Sequence, residues 1–138
     1  MTYLGLDLGT KTLGISKSSG VIASFYKTIR HDEEYDYLIE ELKKIVSVEN
    51  VDKIVLGYPK NMNNTESDMS KVVLEFKKKI EKKLGIEVIL EDERLTSKIS
   101  NDLLISGNVS RMKRKKKVDG IASVVILESF LDRRNNGK

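Results

Sequence analysis

Three acidic positions in the sequence are candidates for one shared catalytic site. Asp7 interrupts an apolar strand, Glu93 follows the apolar segment Ile86–Leu90 with Asp92 beside it, and Asp119 stands where the last apolar helix is predicted to begin. A carboxylate inside an apolar strand is costly unless it is paired or binds a cation. Because the chain has no cysteine and one histidine, such a carboxylate set favours Mg²⁺ or Mn²⁺ over a softer metal. Two such ions suit phosphodiester cleavage, since they activate water and stabilise both the attacking and the leaving oxygens.

Each acid also has a simpler interpretation, and the residue types alone do not choose between them. Asp7 can be a turn residue, Glu93 an ion-pair partner, and Asp119 a charge at a helix end. If the strands that carry Asp7 and Glu93 are neighbours, their side chains can converge at one edge of the sheet. Strand alternation puts Asp92 and Glu93 on opposite faces, and the sequence does not say which face meets Asp7, so either Glu93 or its substitute Asp92 can be the ligand. The single histidine, His31, is interpreted as a surface residue rather than a ligand.

A basic run, RMKRKKK, precedes Asp119 and contains six cations. The formal net charge is +4, so the rest of the chain sums to −2 (4 − 6). A local basic patch of this kind indicates contact with a polyanion, and a solvated loop is the simpler alternative. The residues predicted to contact the phosphate backbone of a nucleic acid are Arg111, Lys113, Arg114 and Lys117.

Two polar segments are further candidates for substrate binding. The turn from Asp7 to Lys11 can cradle a phosphate through backbone N–H groups, because Gly9 allows close approach and Lys11 adds a charge. The loop after the strand Val51–Leu56 offers Asn61 and Thr65 as donors. Either segment can instead be an ordinary turn whose side chains bond their own backbone.

Hydrophobic periodicity predicts the elements that must position these residues. The predicted strands are Tyr3–Leu8, Leu13–Lys17, Val21–Ile29, Val51–Leu56 and Ile86–Leu90. Four helices are predicted: one capped by Asp32 that runs to Val46, one that Thr65 and Asp68 begin and Gly85 ends, one over Thr96–Ser106 and one over Val118–Leu131. A loop is predicted over Gly107–Lys117. An antiparallel meander followed by β-α units indicates an α/β fold with a mixed sheet and helices on its faces. Ligand sites on such sheets lie at the carboxyl ends of the parallel strands.

Length and composition favour one cytoplasmic domain. The 138 residues suit a single domain over 1–138, with a disordered tail over 132–138. No apolar run approaches the ~20 residues that cross a bilayer, and the N-terminus does not resemble a secretory signal. We therefore expect no membrane contact.

Four segments, in order, resemble the motifs of the YqgF/RuvX family: LGLDLGTKTLGIS, VLGYPKNMNNTES, EDERLTS and KVDGIASVVILES. The resemblance implies a ribonuclease H-like fold, with a mixed five-stranded sheet whose first three strands are antiparallel. It implies metal-dependent phosphodiester hydrolysis with Asp7, Glu93 and Asp119 as the acids. It also assigns substrate contact or site support to Arg94, Lys117 and the NMNNT loop. That loop departs from the family pattern, because Asn63 and Asn64 replace an acid and a glycine.

The resemblance implies a nuclease that processes the 5′ end of precursor 16S rRNA. The main alternative is a Holliday junction resolvase, which needs two symmetric active sites and hence a dimer. A non-catalytic RNA-binding module at the ribosome and a single ATP-binding lobe of the actin and sugar-kinase type are further alternatives. The expected partners are structured RNA or branched DNA, with ribosomal particles possible, and the expected state is a monomer or weak homodimer.

Overall fold

The computed structural model describes residues 1–59, 68–92 and 111–136, and within them the chain forms five strands and three helices. The strands are β1 Tyr3–Leu8, β2 Thr12–Ser18, β3 Ala23–Arg30, β4 Lys53–Tyr58 and β5 Glu87–Asp92. The helices are α1 Tyr35–Glu49, α2 Asp68–Leu84 and α3 Arg111–Asn136. No helix of these ranges is long and apolar enough to cross a membrane.

The five strands form one mixed sheet in the order β3-β2-β1-β4-β5. β1 pairs antiparallel with β2, and β2 with β3, whereas β1, β4 and β5 are parallel. The predicted α/β class and the meander at the start of the chain are therefore confirmed. The carboxyl ends of β1, β4 and β5 meet at one edge of the sheet, where ligand sites of such folds lie.

Alternation along β1 divides the core between the two faces of the sheet. Leu4, Leu6 and Leu8 pack with α1 and α2 in the larger core. Tyr3 packs on the other face with Ile126, Leu127 and Leu131 of α3. Because side chains alternate along a strand, Asp7 shares the α3 face with Tyr3 and Gly5.

The surroundings of the acids differ from the expectations in two respects. β1 and β5 are not neighbours, because β4 lies between them, so the condition for convergence across adjacent strands is not met. The final helix begins at Arg111, so the basic run lies on its first turns rather than in a loop, and Asp119 lies within the helix rather than at its start. Lysine and arginine are good helix formers, so the run extends the helix despite the repulsion between its charges. The helix also continues through Asn136, into the segment predicted to be disordered.

The start of α1 also differs from the prediction. Its N-cap is Glu34, which makes no side-chain capping bond, and Asp32 instead binds Lys11. His31 is buried rather than on the surface. The predicted cap Thr65 and the predicted helix Thr96–Ser106 lie outside the described residues.

Candidate active site

Asp7 lies near the carboxyl end of β1 in a row of residues that crosses the α3 face of the sheet. Its partner in β2 is Gly14, and Gly57 of β4 pairs with Glu91 of β5. Leu6 pairs with Leu56, so Asp7 and Gly57 are the next positions in that register. Asp7 is partly buried and interacts with other residues of the chain. Because both flanking residues are glycines, no side chain from β2 or β4 occupies the space beside its carboxylate.

The turn after Asp7 is fixed by His31. The backbone N–H of Glu33 donates to His31 Nδ1 at 3.0 Å, so the ring carries its proton on Nε2 and donates it to Gly9 O at 3.0 Å. The backbone N–H of His31 also donates to Lys11 O at 2.9 Å. These bonds hold the turn next to Asp7.

One backbone donor of the predicted phosphate cradle is already engaged within the turn. The N–H of Gly9 donates to Thr12 O at 2.8 Å, so that donor is not directed at an anion. Lys11 Nζ lies 3.1 Å from Asp32 Oδ1, and this hydrogen bond raises the pKa of the lysine. Both side chains are well exposed, so the pair is weak and a phosphate can compete for Lys11.

A buried carboxylate fixes α3 to the end of β5. Glu91 is 3% exposed and accepts two hydrogen bonds from Arg133, at 2.6 and 2.8 Å, and one from Ser129 Oγ at 2.8 Å. A bidentate arginine–carboxylate pair is both strong and directional. With both oxygens engaged in this way, Glu91 acts as an anchor for the helix rather than as a free ligand.

A second contact fixes α3 over β1. Ser16 Oγ donates to Ser123 O at 2.7 Å in a buried position. A β-carbon built on Gly5 would lie 2.8 Å from both Leu127 Cβ and Ser123 O, and 2.5 Å from Ser16 Oγ. Only glycine allows this approach of helix to strand. The translation of α3 along β1 is thus set by direct contact.

The predicted site residues divide into three groups according to what the structure describes. Asp7 and Lys11 are fully described. Asp7 lies on the α3 face of the sheet, whereas Lys11 pairs with Asp32. Arg111, Lys113, Arg114, Lys117 and Asp119 belong to the described backbone of α3, and their side chains are outside the description. The same holds for Asp92, the last residue of β5. Asn61, Thr65, Glu93 and Arg94 lie outside the described residues. No group of three metal-ligating side chains is found among those that the structure describes.

Sequence reasoning missed the residues that hold the site together. Gly5 interrupts an apolar strand, and a glycine inside a strand indicates close approach of another backbone. Glu91 offered a weaker signal, since strand alternation alone puts it on one of two unspecified faces. His31 offered none, because its bond to Gly9 joins positions that are 22 residues apart in the sequence.

Comparisons with known proteins agree with the architecture. A family model described as "RuvX: Holliday junction resolvase" matches residues 1–133. A protein of Bacillus pumilus (strain SAFR-032) named "Putative pre-16S rRNA nuclease" is 46% identical over 98% of this chain and 100% of its own length. A protein of the same name from Bacillus subtilis (strain 168) is 44% identical over the same shares.

Solved structures extend the likeness at the level of the fold. Thermus thermophilus RuvC in complex with a Holliday junction substrate matches with a TM-score of 0.61 and 11% identity, over 99% of this chain and 96% of that one. RuvC has a ribonuclease H-like fold, which confirms the predicted architecture. A ROK hexokinase from the same organism matches with a TM-score of 0.50 and 18% identity, over 75% of this chain but only 39% of the kinase.

Proposed function

The chain belongs to the RuvX family, and from that premise we propose that it is a metal-dependent endonuclease that processes the 5′ end of precursor 16S rRNA. Relatives that it matches along nearly its whole length carry the name of such a nuclease. The ribonuclease H-like architecture supports phosphodiester hydrolysis at the edge where β1, β4 and β5 end. Structured RNA is the proposed substrate class, with ribosomal particles as partners in the cytoplasm.

The observation that carries this proposal is the fixed alignment of α3 with β1. The ring of Phe130 lies 5.6 Å from that of Tyr3, and Leu127 and Ser123 meet Gly5, so the helix runs antiparallel to the strand. Asp7 is two residues beyond Gly5, which is about 6.6 Å along a strand. Asp119 is one turn before Ser123, which is about 6 Å along a helix. These matched steps support Asp119 as the residue of α3 that faces Asp7.

The third acid is proposed to be Glu93 rather than Asp92. Glu91 faces α3 and is two positions before Glu93. If the alternation of β5 continues for one further residue, position 93 shares the α3 face with Asp7, and position 92 does not. β4 separates the two strands, so Asp7 and Glu91, which lie in one row of the register, have Cα atoms roughly 10 Å apart across the sheet. Gly57 lies between Asp7 and Glu91 in that row, and position 93 is two residues further along the chain.

The donor chemistry fits the metal that this mechanism requires. Asp7, Glu93 and Asp119 offer only carboxylate oxygens, which Mg²⁺ and Mn²⁺ prefer, and the chain has no cysteine. When bound, a pair of such ions would activate water and stabilise the attacking and leaving oxygens of the phosphodiester. The three acids would hold the ions and orient the scissile phosphate between the sheet and α3.

The basic run would bring the substrate to these acids. Arg111, Lys113, Arg114 and Lys117 lie on the first turns of α3, just before Asp119. Contacts of this kind bind the phosphate backbone with little sequence dependence and weaken steeply with salt. Lys11, Asn61, Thr65 and Arg94 are proposed as further substrate contacts around the same edge.

Cleavage assays of one preparation on two substrates test the proposal. We expect cleavage of a precursor 16S rRNA 5′ fragment in Mg²⁺, and its loss in Asp7→Asn with nucleic-acid binding largely preserved. Glu40→Gln is the matched control, because Glu40 is an exposed acid on α1. Equal cleavage by Asp7→Asn and the parent would overturn the assignment.

The family description and the RuvC likeness favour Holliday junction resolution as the second candidate. Resolution requires two active sites related by symmetry, and therefore a dimer on the junction. A four-way DNA junction in the same assay, with the molar mass of each complex measured, separates the two functions. Junction cleavage by a dimer without RNA cleavage would favour the resolvase.

A further inference from the structure

Helix α2 carries an apolar cleft on the side that faces the start of α1. Tyr35, Val72 and Phe76 provide its apolar lining, and the cleft encloses about 300 Å³. The rings of Tyr35 and Phe76 meet edge to face with centroids 6.1 Å apart. Lys71, Glu75 and Lys79 complete the rim. An apolar floor with charged groups at its rim suits a flat, partly apolar group attached to an anion.

A row of lysines follows the same helix beside this cleft. Lys71, Lys78 and Lys82 recur after seven and four residues, so they fall within about 40° of one another around the helix axis. They are exposed and form no ion pair with any residue that the structure describes. Other lysines of the helix differ, since Lys77 pairs with Glu81 and Lys79 with Asp36. Glu75 is an acid beside the row, at the rim of the cleft.

The direction of α2 links this row to the catalytic edge. Near its end, Glu81 accepts a hydrogen bond from the N–H of Val88 at 3.3 Å, so that end of α2 lies beside the start of β5. The helix is 17 residues long, or about 25 Å, and it therefore begins towards the edge where β1, β4 and β5 end. Lys71 is its fourth residue. The row thus starts near the edge of the sheet where β1 ends, on the face opposite to α3, and leads away from that edge.

We propose that the lysine row and the cleft of α2 bind an unpaired strand of nucleic acid that leads away from the catalytic edge. Phosphates would follow Lys71, Lys78 and Lys82, and one base would enter the cleft against the partly exposed ring of Tyr35. A track of cations beside an aromatic platform is the combination that binds single strands without regard to sequence. The inference rests on the proposed function and adds that the preferred substrate has a single-stranded flank beside its paired region.

Binding of a labelled single-stranded RNA oligonucleotide, without Mg²⁺ so that no cleavage occurs, tests this surface. The double variant Lys78→Glu, Lys82→Glu should weaken binding about tenfold or more at low salt and lower the salt slope by roughly 1.4, since two phosphate contacts are lost. Val72→Trp, which fills the cleft, should also weaken binding about tenfold. Lys27→Glu is the matched control, because Lys27 is an exposed lysine on the edge strand β3 and makes no ion pair with the described residues.

The outcomes separate this inference from the proposed function. If the α2 variants bind RNA as the control does while the parent still cleaves, the α2 site is wrong and the nuclease assignment stands. If the α2 variants bind weakly while the parent cleaves nothing, the site stands and the nuclease assignment fails. In an active enzyme, the double variant should raise KM for a substrate with an unpaired flank and leave a fully paired substrate unchanged. Tighter binding of an acidic peptide than of RNA would overturn the proposal.

Discussion

Gly5 of β1 lies directly against Leu127 of α3, so close that a β-carbon at Gly5 would lie 2.8 Å from Leu127 Cβ. The helix therefore rests on the strand through backbone and Cβ atoms rather than through flexible side chains. Such a contact fixes the position of every other residue on the same helix face. Position 119 is one helical turn before Ser123, which is why the packing of a glycine bears on the proposed catalytic acids.

Gly5→Ala should both destabilise the protein and reduce cleavage. The added methyl group must push α3 away from β1, because two of the three atoms that it meets are Ser123 O and Leu127 Cβ of that helix. Overpacking of this kind costs about 1–3 kcal/mol, which urea unfolding measures. Gly9→Ala is the control for stability, since the nearest atom to its β-carbon is 3.4 Å away. Equal stability of the two variants would show that the helix is not held in this way.

Arg133→Ala should destabilise the protein more than Arg134→Ala does. Removing Arg133 leaves the buried Glu91 with Ser129 as its remaining partner among the contacts above, and an uncompensated buried charge is costly. Because Arg133 is itself 60% exposed, the expected loss is discounted to roughly 1–3 kcal/mol.

Arg134 provides the comparison for that measurement. Its guanidinium lies 5.5 Å from the ring of Tyr3, an interaction at an exposed site that is worth about 0.5–1 kcal/mol. Chemical unfolding of both variants under the same conditions gives the difference. If the two losses are the same, Glu91 is not the anchor described above.

Glu49→Gln should lower stability at neutral pH and matter little in acid. Lys17 donates to Glu49 at 2.7 Å and Tyr26 at 3.2 Å, and these bonds hold the pKa of Glu49 below its usual 4.5. A depressed folded-state pKa stabilises the protein above the unfolded pKa, and that contribution is lost as the pH falls through the folded value. The difference between Glu49→Gln and the parent should therefore shrink below about pH 4.

Unfolding of both proteins at neutral pH and in acid measures that change. Glu40→Gln serves as the control, since Glu40 is an exposed acid on the same helix. A gap between Glu49→Gln and the parent that stays constant with pH would contradict the assigned role of the Lys17–Glu49 pair.

Local patterns in the sequence were sufficient for much of the fold. The meander follows from short apolar runs divided by Gly9 and Gly20, and α2 from its regular apolar face. The neighbours of each strand did not follow, because the placement of β4 between β1 and β5 depends on long-range packing rather than on any local signal. The start of α3 was mispredicted because a run of cations was interpreted as solvated loop, although its residue types favour helix.

The sequence proposes acids for the candidate site, and it gives little sign of the contacts that surround them. Asp7 was identifiable because a carboxylate in an apolar strand requires an explanation. The contacts that align α3 with it join Ser16 to Ser123, 107 residues apart, and Glu91 to Arg133, 42 residues apart. Pairs so distant in the sequence leave no periodic pattern for sequence reasoning to detect.

Calorimetric titration with Mn²⁺ most directly tests the claim that Asp7 and Asp119 form one site. We predict that Asp7→Asn and Asp119→Asn each weaken Mn²⁺ binding to a similar extent, and that the double variant is little worse than either, because all three lose the same site. Glu40→Gln should bind as the parent does. Parent-like Mn²⁺ binding by Asp119→Asn, with binding lost in Asp7→Asn, would contradict the shared site.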